Sequence, residues 1–237
     1  MHLLAIVAHP DDADIFCGGT LAKHADRGDT VTIAHMTRGE FGGFGETTES
    51  EVATTRENEA QKAGAELNAD EVAFLGFADG RITHTYENRV RIVNAIRQYD
   101  PDLILTHFRD DLHPDHKATA RLVTDAYYMA SIELFESEYE PCDPENVLFF
   151  GKPTSSFEPS LFVDISEYTD QKRRAIEQHE SQIEFLTEHG GIDSEFDNLL
   201  DGIAAEDTVR GKRVGVGAAE GFATLHETAQ EYLTVDR

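Results

Sequence analysis

Leu3-Leu4-Ala5-Ile6-Val7-Ala8-His9-Pro10-Asp11-Asp12 is the stretch that decides the fold: an unbroken apolar run that stops at an imidazole and two carboxylates. Apolar residues without alternation, Leu3 to Val7, read as a strand buried on both faces, as in a parallel sheet. His9, Asp11 and Asp12 then stand at its carboxyl end, the edge of an open α/β sheet where ligands bind. Nitrogen together with carboxylate oxygen suits a borderline divalent ion such as zinc. A second cluster repeats the pattern, for Leu103 to Thr106 reads as another buried strand, followed by His107. After a short acidic loop, His113-Pro114-Asp115-His116 opens a helical stretch.

Further strands are expected at Thr30 to His35, Val72 to Leu75, Val147 to Phe150 and Leu161 to Val163. Helical patterns lie between the first four strands, at Gly18 to Asp26, Glu49 to Leu67 and Tyr86 to Gln98. This alternation predicts an α/β fold in a single domain over residues 1–237, with a Rossmann-like, mostly parallel sheet and helices on both faces. Gly18-Gly19 allows close backbone approach ahead of the first helix, but no GxGxxG run is present, so a nucleotide cofactor is disfavoured. A helix from Lys117 to Ser131 follows the second cluster, and another runs from about Asp170 to Leu186. Gly190 to Gly217 has weak periodicity and is expected to be a loop or lid with one short helix.

Forty-six acidic against twenty basic residues give a net charge of −26, and only six of the bases are lysine. Such a balance excludes partners bound through phosphate, namely nucleic acid and anionic membrane. The acid is spread along a chain that is 40% hydrophobic, so it describes a solvated shell around a core and not a disordered tail. Few lysines and many carboxylates match the surface of a halophilic protein from a salt-rich cytoplasm, where screening suppresses self-repulsion. Two cysteines, Cys17 and Cys142, are too few for a disulfide framework and read as ordinary thiols. No basic n-region or membrane-length apolar run is present, so a soluble, cytoplasmic protein is expected.

A zinc hydrolase needs three protein ligands, an open position for water, a base for that water and a donor for the oxyanion. His9, Asp12 and His116 are the expected ligands of one zinc ion per chain, since a His-Asp-His set leaves the metal a net positive charge. Asp11 then sits beside the metal as general base, taking the water proton and returning it to the leaving amine. His113, one helical turn before His116, would hold the oxyanion if protonated, with Asp115 to orient it. Alone, an Asp-Asp after a strand is more often a helix cap, and His-Pro-Asp-His is good helix-start chemistry. Two such clusters on one sheet edge make the catalytic reading the better one. His2, His24, His84, His179, His189 and His226 have no such setting and read as surface or core histidines, with His107 intermediate.

The two clusters resemble those of the PIG-L/LmbE-like zinc N-deacetylases. Further matches are Thr37-Arg38-Gly39-Glu40, Arg56-Glu57-Asn58-Glu59, Asp79-Gly80, the Lys172 to Gln182 helix ending in Glu180-Ser181-Gln182, and Ala219-Glu220-Gly221-Phe222. The resemblance implies a zinc-dependent hydrolase that removes the N-acetyl group of an N-acetylglucosamine-type substrate, with zinc on His9, Asp12 and His116 and a base at Asp11. It also implies a substrate-hydroxyl contact from Arg56 and a homo-oligomer, trimer or hexamer; Asp79, at a different strand end, is expected to reach the cleft and hydrogen-bond the same sugar ring. Asp110-Asp111-Leu112 before His113 argues against a sugar-thiol precursor as substrate. Gly190 to Gly217 contains no tyrosine to act as a second oxyanion donor. The alternatives are a zinc amidase acting on a non-sugar amide and a noncatalytic sugar-binding or metal-binding module, which would need neither Asp11 nor His113.

Overall fold

A computed structural model of the chain describes residues 1–43, 45–152, 156–189 and 199–226, with the side chains of 186–189 left out. Seven strands form one sheet in the order β3-β2-β1-β4-β5-β7-β6. They are β1 (His2–Val7), β2 (Thr30–His35), β3 (Glu71–Phe74), β4 (Leu103–His107), β5 (Asn146–Phe150), β6 (Leu161–Asp164) and β7 (Ala219–Thr224). The first five are parallel, and β7 runs antiparallel between β5 and β6. Successive side chains of β1 enter opposite cores. Leu4 and Ile6 pack with Ile92, Ile96 and Leu122 on one face, while Leu3, Ala5 and Val7 pack with Leu21, Leu67 and Phe222 on the other. That double burial is why the apolar run does not alternate.

Val7 pairs with His35 and Ile6 with Thr106, so β1, β2 and β4 end at one level. The chain winds outward from β1 through β2 to β3, then returns to place β4 on the other side of β1. The crevice at that reversal is the place where open α/β sheets bind ligands.

The helices are α1 (Asp12–Asp26), α2 (Glu49–Glu66), α3 (Tyr86–Tyr99), α4 (Pro114–Ala130), α5 (Thr169–Glu177), α6 (Glu180–His189) and α7 (Leu199–Val214). The helices depart from the sequence expectation in three places. α1 begins six residues early, because Ile15 already donates to the Asp11 carbonyl and the acidic Asp12 and Asp14 suit a positive helix start. Gly18 and Gly19 therefore lie within the helix, where the Gly19 and Thr20 amides donate to the Glu220 carboxylate. The single helix expected from Asp170 to Leu186 is two, since the chain turns at Gln178 and His179 to bring the buried His179 ring onto Asp14 at 2.8 Å. Of the expected loop from Gly190 to Gly217, residues 190–198 lie outside the described ones, and α7 occupies most of the remainder. β7 escaped sequence reading because a short Ala-Glu-Gly-Phe-Ala-Thr run has little alternation or β-branching.

Both cysteines are buried thiols without a disulfide. Among the described residues no helix is long and apolar enough to cross a membrane.

Candidate metal centre

Two helices start at the ends of neighbouring strands and bring the two clusters together. α1 opens at Asp12, directly after β1, and α4 opens at Pro114 after β4, with His113 as its N-cap. The tight turn between β1 and α1 is closed by Asp12, whose Oδ2 accepts the His9 amide at 2.7 Å. His9, Asp12 and His116 are all buried. His9 Nδ1 and His116 Nε2 lie 3.3 Å apart, and Asp12 approaches them at 3.3 and 3.2 Å through its two oxygens. Ligands 2.0–2.1 Å from a tetrahedral zinc ion stand about 3.3 Å from one another, the spacing of these three pairs. The overlapping trios His9, His113 and His116, Asp12, His107 and His116, and His9, Asp79 and Asp115 are also close enough to share an ion.

The outward atoms of both rings face carboxylates. His9 Nε2 is 3.2 Å from Asp79 Oδ1 and 3.7 Å from Asp115 Oδ2, and His116 Nδ1 is 3.2 Å from Asp111 Oδ2 without hydrogen-bond alignment. Such partners fix which nitrogen of a ligating histidine faces inward. Burial opposes a charge on His9, yet Asp115, Asp12 and Asp79 outweigh it and hold the imidazole well above its ordinary range. For Asp12, burial opposes ionisation, and His116 and His107 more than offset it, keeping the carboxylate well below its usual range. A cluster with four carboxylates around these rings carries excess negative charge, which a divalent cation complements.

Asp11 lies at the lip of the cluster. Its Oδ1 accepts from Arg56 Nη2 at 2.9 Å, and Arg56 Nη1 donates to the Gly39 carbonyl at 2.9 Å. Gly39 has a φ of +66°, and a Cβ there would meet the Arg56 guanidinium at 2.3 Å, so only glycine admits this contact. The buried Arg56 and Asp79, both expected to meet substrate, also make contacts within the protein, and Arg56 Nε is left without a hydrogen-bond partner. Asp79 reaches His9 through one oxygen and the Phe41 amide through the other, at 2.9 Å.

His113 and Asp115 also differ in detail from expectation. His113 Nδ1 accepts the Asp115 amide at 3.2 Å, which assigns the ring proton to Nε2 and makes the side chain a neutral donor. Burial, with His9 and His116 nearby, pushes its pKa down, against the protonated form. The ring stays in the cluster, 4.6 Å from His9 and 4.7 Å from His116 between centroids. The Asp115 carboxylate turns away from it, accepting from the amides of Gly80 at 2.7 Å and Ile82 at 3.3 Å.

Three contributors had no role assigned from sequence: His107, read as intermediate, and Asp111 and Glu40. His107 is buried and stacks on His116 at 4.0 Å, and its Nε2 accepts the Ala8 amide at 2.9 Å, which takes up the lone pair a metal would need. Burial lowers its pKa to about 4, so it packs as a neutral ring. Asp111 backs His116 and accepts the His113 amide at 2.8 Å, and a carboxylate two residues before His113 was its only signal. Glu40 accepts the Asp79 amide at 2.9 Å, a contact across 39 residues that no local pattern announces.

The PIG-L family profile, described as GlcNAc-PI de-N-acetylase, matches residues 4–127. Diacetylchitobiose deacetylase of Thermococcus kodakarensis is 32% identical over 186 residues, covering 76% of this chain and 69% of that protein. The 4-oxalmesaconate hydratase of Pseudomonas putida is 27% identical over 192 residues, covering 73% of this chain and 71% of that one. Among solved structures, the conserved protein TT1542 from Thermus thermophilus superposes with a TM-score of 0.85 at 30% identity, over 99% of each chain.

Proposed function

Since the chain belongs to the PIG-L family of GlcNAc-PI de-N-acetylases, we propose that it is a zinc-dependent hydrolase of an N-acetylglucosamine-type substrate, releasing acetate and a free amine. The observation that carries this reading is the convergence of His9 Nδ1, Asp12 and His116 Nε2 beside a carboxylate, Asp11, that Arg56 holds in place. These three residues would hold the ion, which when bound acidifies water toward neutral pKa and polarises an amide carbonyl.

Asp11 is the general base. Its Arg56-bound oxygen is fixed, and the other accepts the proton of the attacking water and later delivers it to the leaving nitrogen. His113 donates from Nε2 to the carbonyl oxygen as negative charge develops there, and its N-cap bond to the Asp115 amide keeps the ring aimed. Arg56 positions the base, while Asp79 and Asp111 orient His9 and His116. The hydratase relative marks a second chemistry within reach of this fold, acting on a substrate named as a carboxylate. An anion finds little welcome here: Arg56, the guanidinium buried in the site, is already paired with Asp11, and carboxylates surround the rest.

Acetate release should be measured from N-acetylglucosamine, N,N'-diacetylchitobiose and simple acyclic acetamides, with and without zinc. The proposal expects zinc-dependent release from the sugars well above that from the acetamides, because a site with fixed polar partners rejects analogues that leave them unpaired. Equal rates on both classes would leave only a zinc amidase, and release from none would remove the deacetylase reading.

A further inference from the structure

Four consecutive residues at the join of α5 and α6, His179-Glu180-Ser181-Gln182, grip three separate elements around Asp11, and the proposed reaction uses none of them. Only Glu180 of the four is exposed. His179 Nε2 lies 2.8 Å from Asp14 Oδ2 on α1. The Ser181 amide and hydroxyl donate to the two oxygens of Glu59 on α2, at 2.9 and 2.7 Å. Gln182 Nε2 donates to the Gly42 carbonyl, in the loop after β2, at 2.7 Å. His179, Gln182, Asp14 and Glu59 are all buried.

Each grip lands one short step from the pair of Arg56 and Asp11. Asp14 follows Asp11 by three positions and Glu59 follows Arg56 by three, so each anchor shares a helix face with the residue it supports. The Gly42 amide donates to the Gly39 carbonyl at 3.0 Å, the same oxygen that accepts Arg56 Nη1. A Cβ on Gly42 would meet Arg56 Nη1 at 2.5 Å and Gln182 Oε1 at 2.7 Å, so guanidinium and amide pack against one glycine. Asp11 and Asp14 are like charges held near each other, and Arg56 compensates one while His179 compensates the other. Burial opposes a charge on His179, yet Asp14 and Asp11 outweigh it and hold the ring above its ordinary range, so it meets Asp14 as a donor. For stability alone the pair is a poor choice. His179 Nδ1 and Asp14 Oδ1 are buried with no hydrogen-bond partner among the described residues, which costs free energy.

We propose that His179, Ser181 and Gln182 are positioning residues that lock Arg56 and Asp11 in place through Asp14, Glu59 and Gly42. The inference rests on the reading of Asp11 as the base of a deacetylase, and it adds the turn between α5 and α6 to the apparatus that aims that base. Without His179 the Asp14 carboxylate is left uncompensated near Asp11, and without Gln182 the Gly42 backbone that backs Arg56 is free to shift. A displacement of about 1 Å at a reacting group can cost roughly 10²-fold in rate.

The test uses zinc-loaded protein carrying His179→Ala, His179→Gln or Gln182→Ala, each made in the wild type and in Asp11→Asn. His179→Ala and Gln182→Ala should each lower kcat for acetate release by roughly tenfold, with KM and zinc content unchanged. His179→Gln, whose amide nitrogen can donate to Asp14 as the imidazole does, should recover most of that loss. In Asp11→Asn the alanine substitutions should lower the residual rate by less than about twofold, because no base is left to misplace. Equal losses in both backgrounds, or loss of zinc, would mean a purely structural role and overturn the proposal. Crystal structures of the same variants give a readout independent of turnover, since Arg56 Nη2 and Asp11 Oδ1, 2.9 Å apart in the intact protein, should separate. If the wild type releases no acetate but the alanine variants lose this contact, the deacetylase reading fails and the clamp stands. A contact kept in the alanine variants overturns the clamp whatever the activity, and Gln182→Ala decides by itself where His179→Ala does not fold.

Discussion

Asp11 and Asp12 are neighbours in sequence with different surroundings, and each should fail in its own way. Asp12 faces three imidazoles inside the cluster, whereas Asp11 sits at its lip against Arg56. Asp11→Asn should therefore retain zinc, because His9, Asp12 and His116 are untouched, and lose roughly 10²-fold or more in turnover for want of a base. Metal analysis alongside kinetics checks this, and zinc loss from Asp11→Asn with retention in Asp12→Asn would exchange the two roles. His113 and His116, one turn apart on α4, divide similarly. His116→Ala should strip the metal, and His113→Ala should keep it and slow turnover by removing the Nε2 donor. Equal metal loss from both would place His113 among the ligands.

Helices α1, α5 and α7 meet strand β7 at a buried ionic cluster that lies outside the metal centre. Lys172 of α5 pairs with Asp207 of α7 at 2.6 Å and with Glu220 of β7 at 2.8 Å, and Glu220 also accepts the Gly19 and Thr20 amides of α1. Burial raises Asp207 from 3.8 to about 6, with Lys172 only partly opposing it. Between about pH 4 and 6 the unfolded chain gives up this proton while the folded chain keeps it, so folding stability falls as pH rises through that window. Asp207→Asn removes the titration. Urea denaturation across pH 4.5 to 7 should show the stability gap between variant and wild type shifting in favour of the variant up to about pH 6, then levelling. A gap independent of pH would mean that Asp207 is ionised throughout, paired with Lys172.

At the scale of the whole molecule the dominant feature is the net charge of −26. Folding crowds these like charges, and screening contracts from a range of about 30 Å at 0.01 M salt to about 3 Å at 1 M. The melting temperature should therefore climb as KCl is raised toward molar concentration at fixed zinc and pH. A melting temperature flat across that range would refute the halophilic reading of the composition.

The sequence by itself determined the parallel part of the sheet, β1 to β5, and its chemistry-bearing edge, but not the antiparallel β7. Continuous apolar runs such as Leu3 to Val7 can be buried only with both faces covered, and helical periodicity between them leaves a parallel sheet as the solution. Polar residues interrupting those runs at strand ends, His9 to Asp12 and His113 to His116, are local signals and were legible for the same reason. Tertiary structure alone decided how those residues are aimed. Arg56 and Asp79, expected to meet substrate, also hold Asp11 and His9, contacts no local pattern announces, because these partners lie 45 and 70 positions away in the chain and meet only when β1, β2 and β3 align. Asp115, adjacent to the cluster in sequence, turned toward Gly80 and Ile82, because two amides in a loop after β3 needed an acceptor. Residue type and spacing specify what chemistry is available, whereas orientation depends on buried hydrogen-bond partners that only the folded chain supplies.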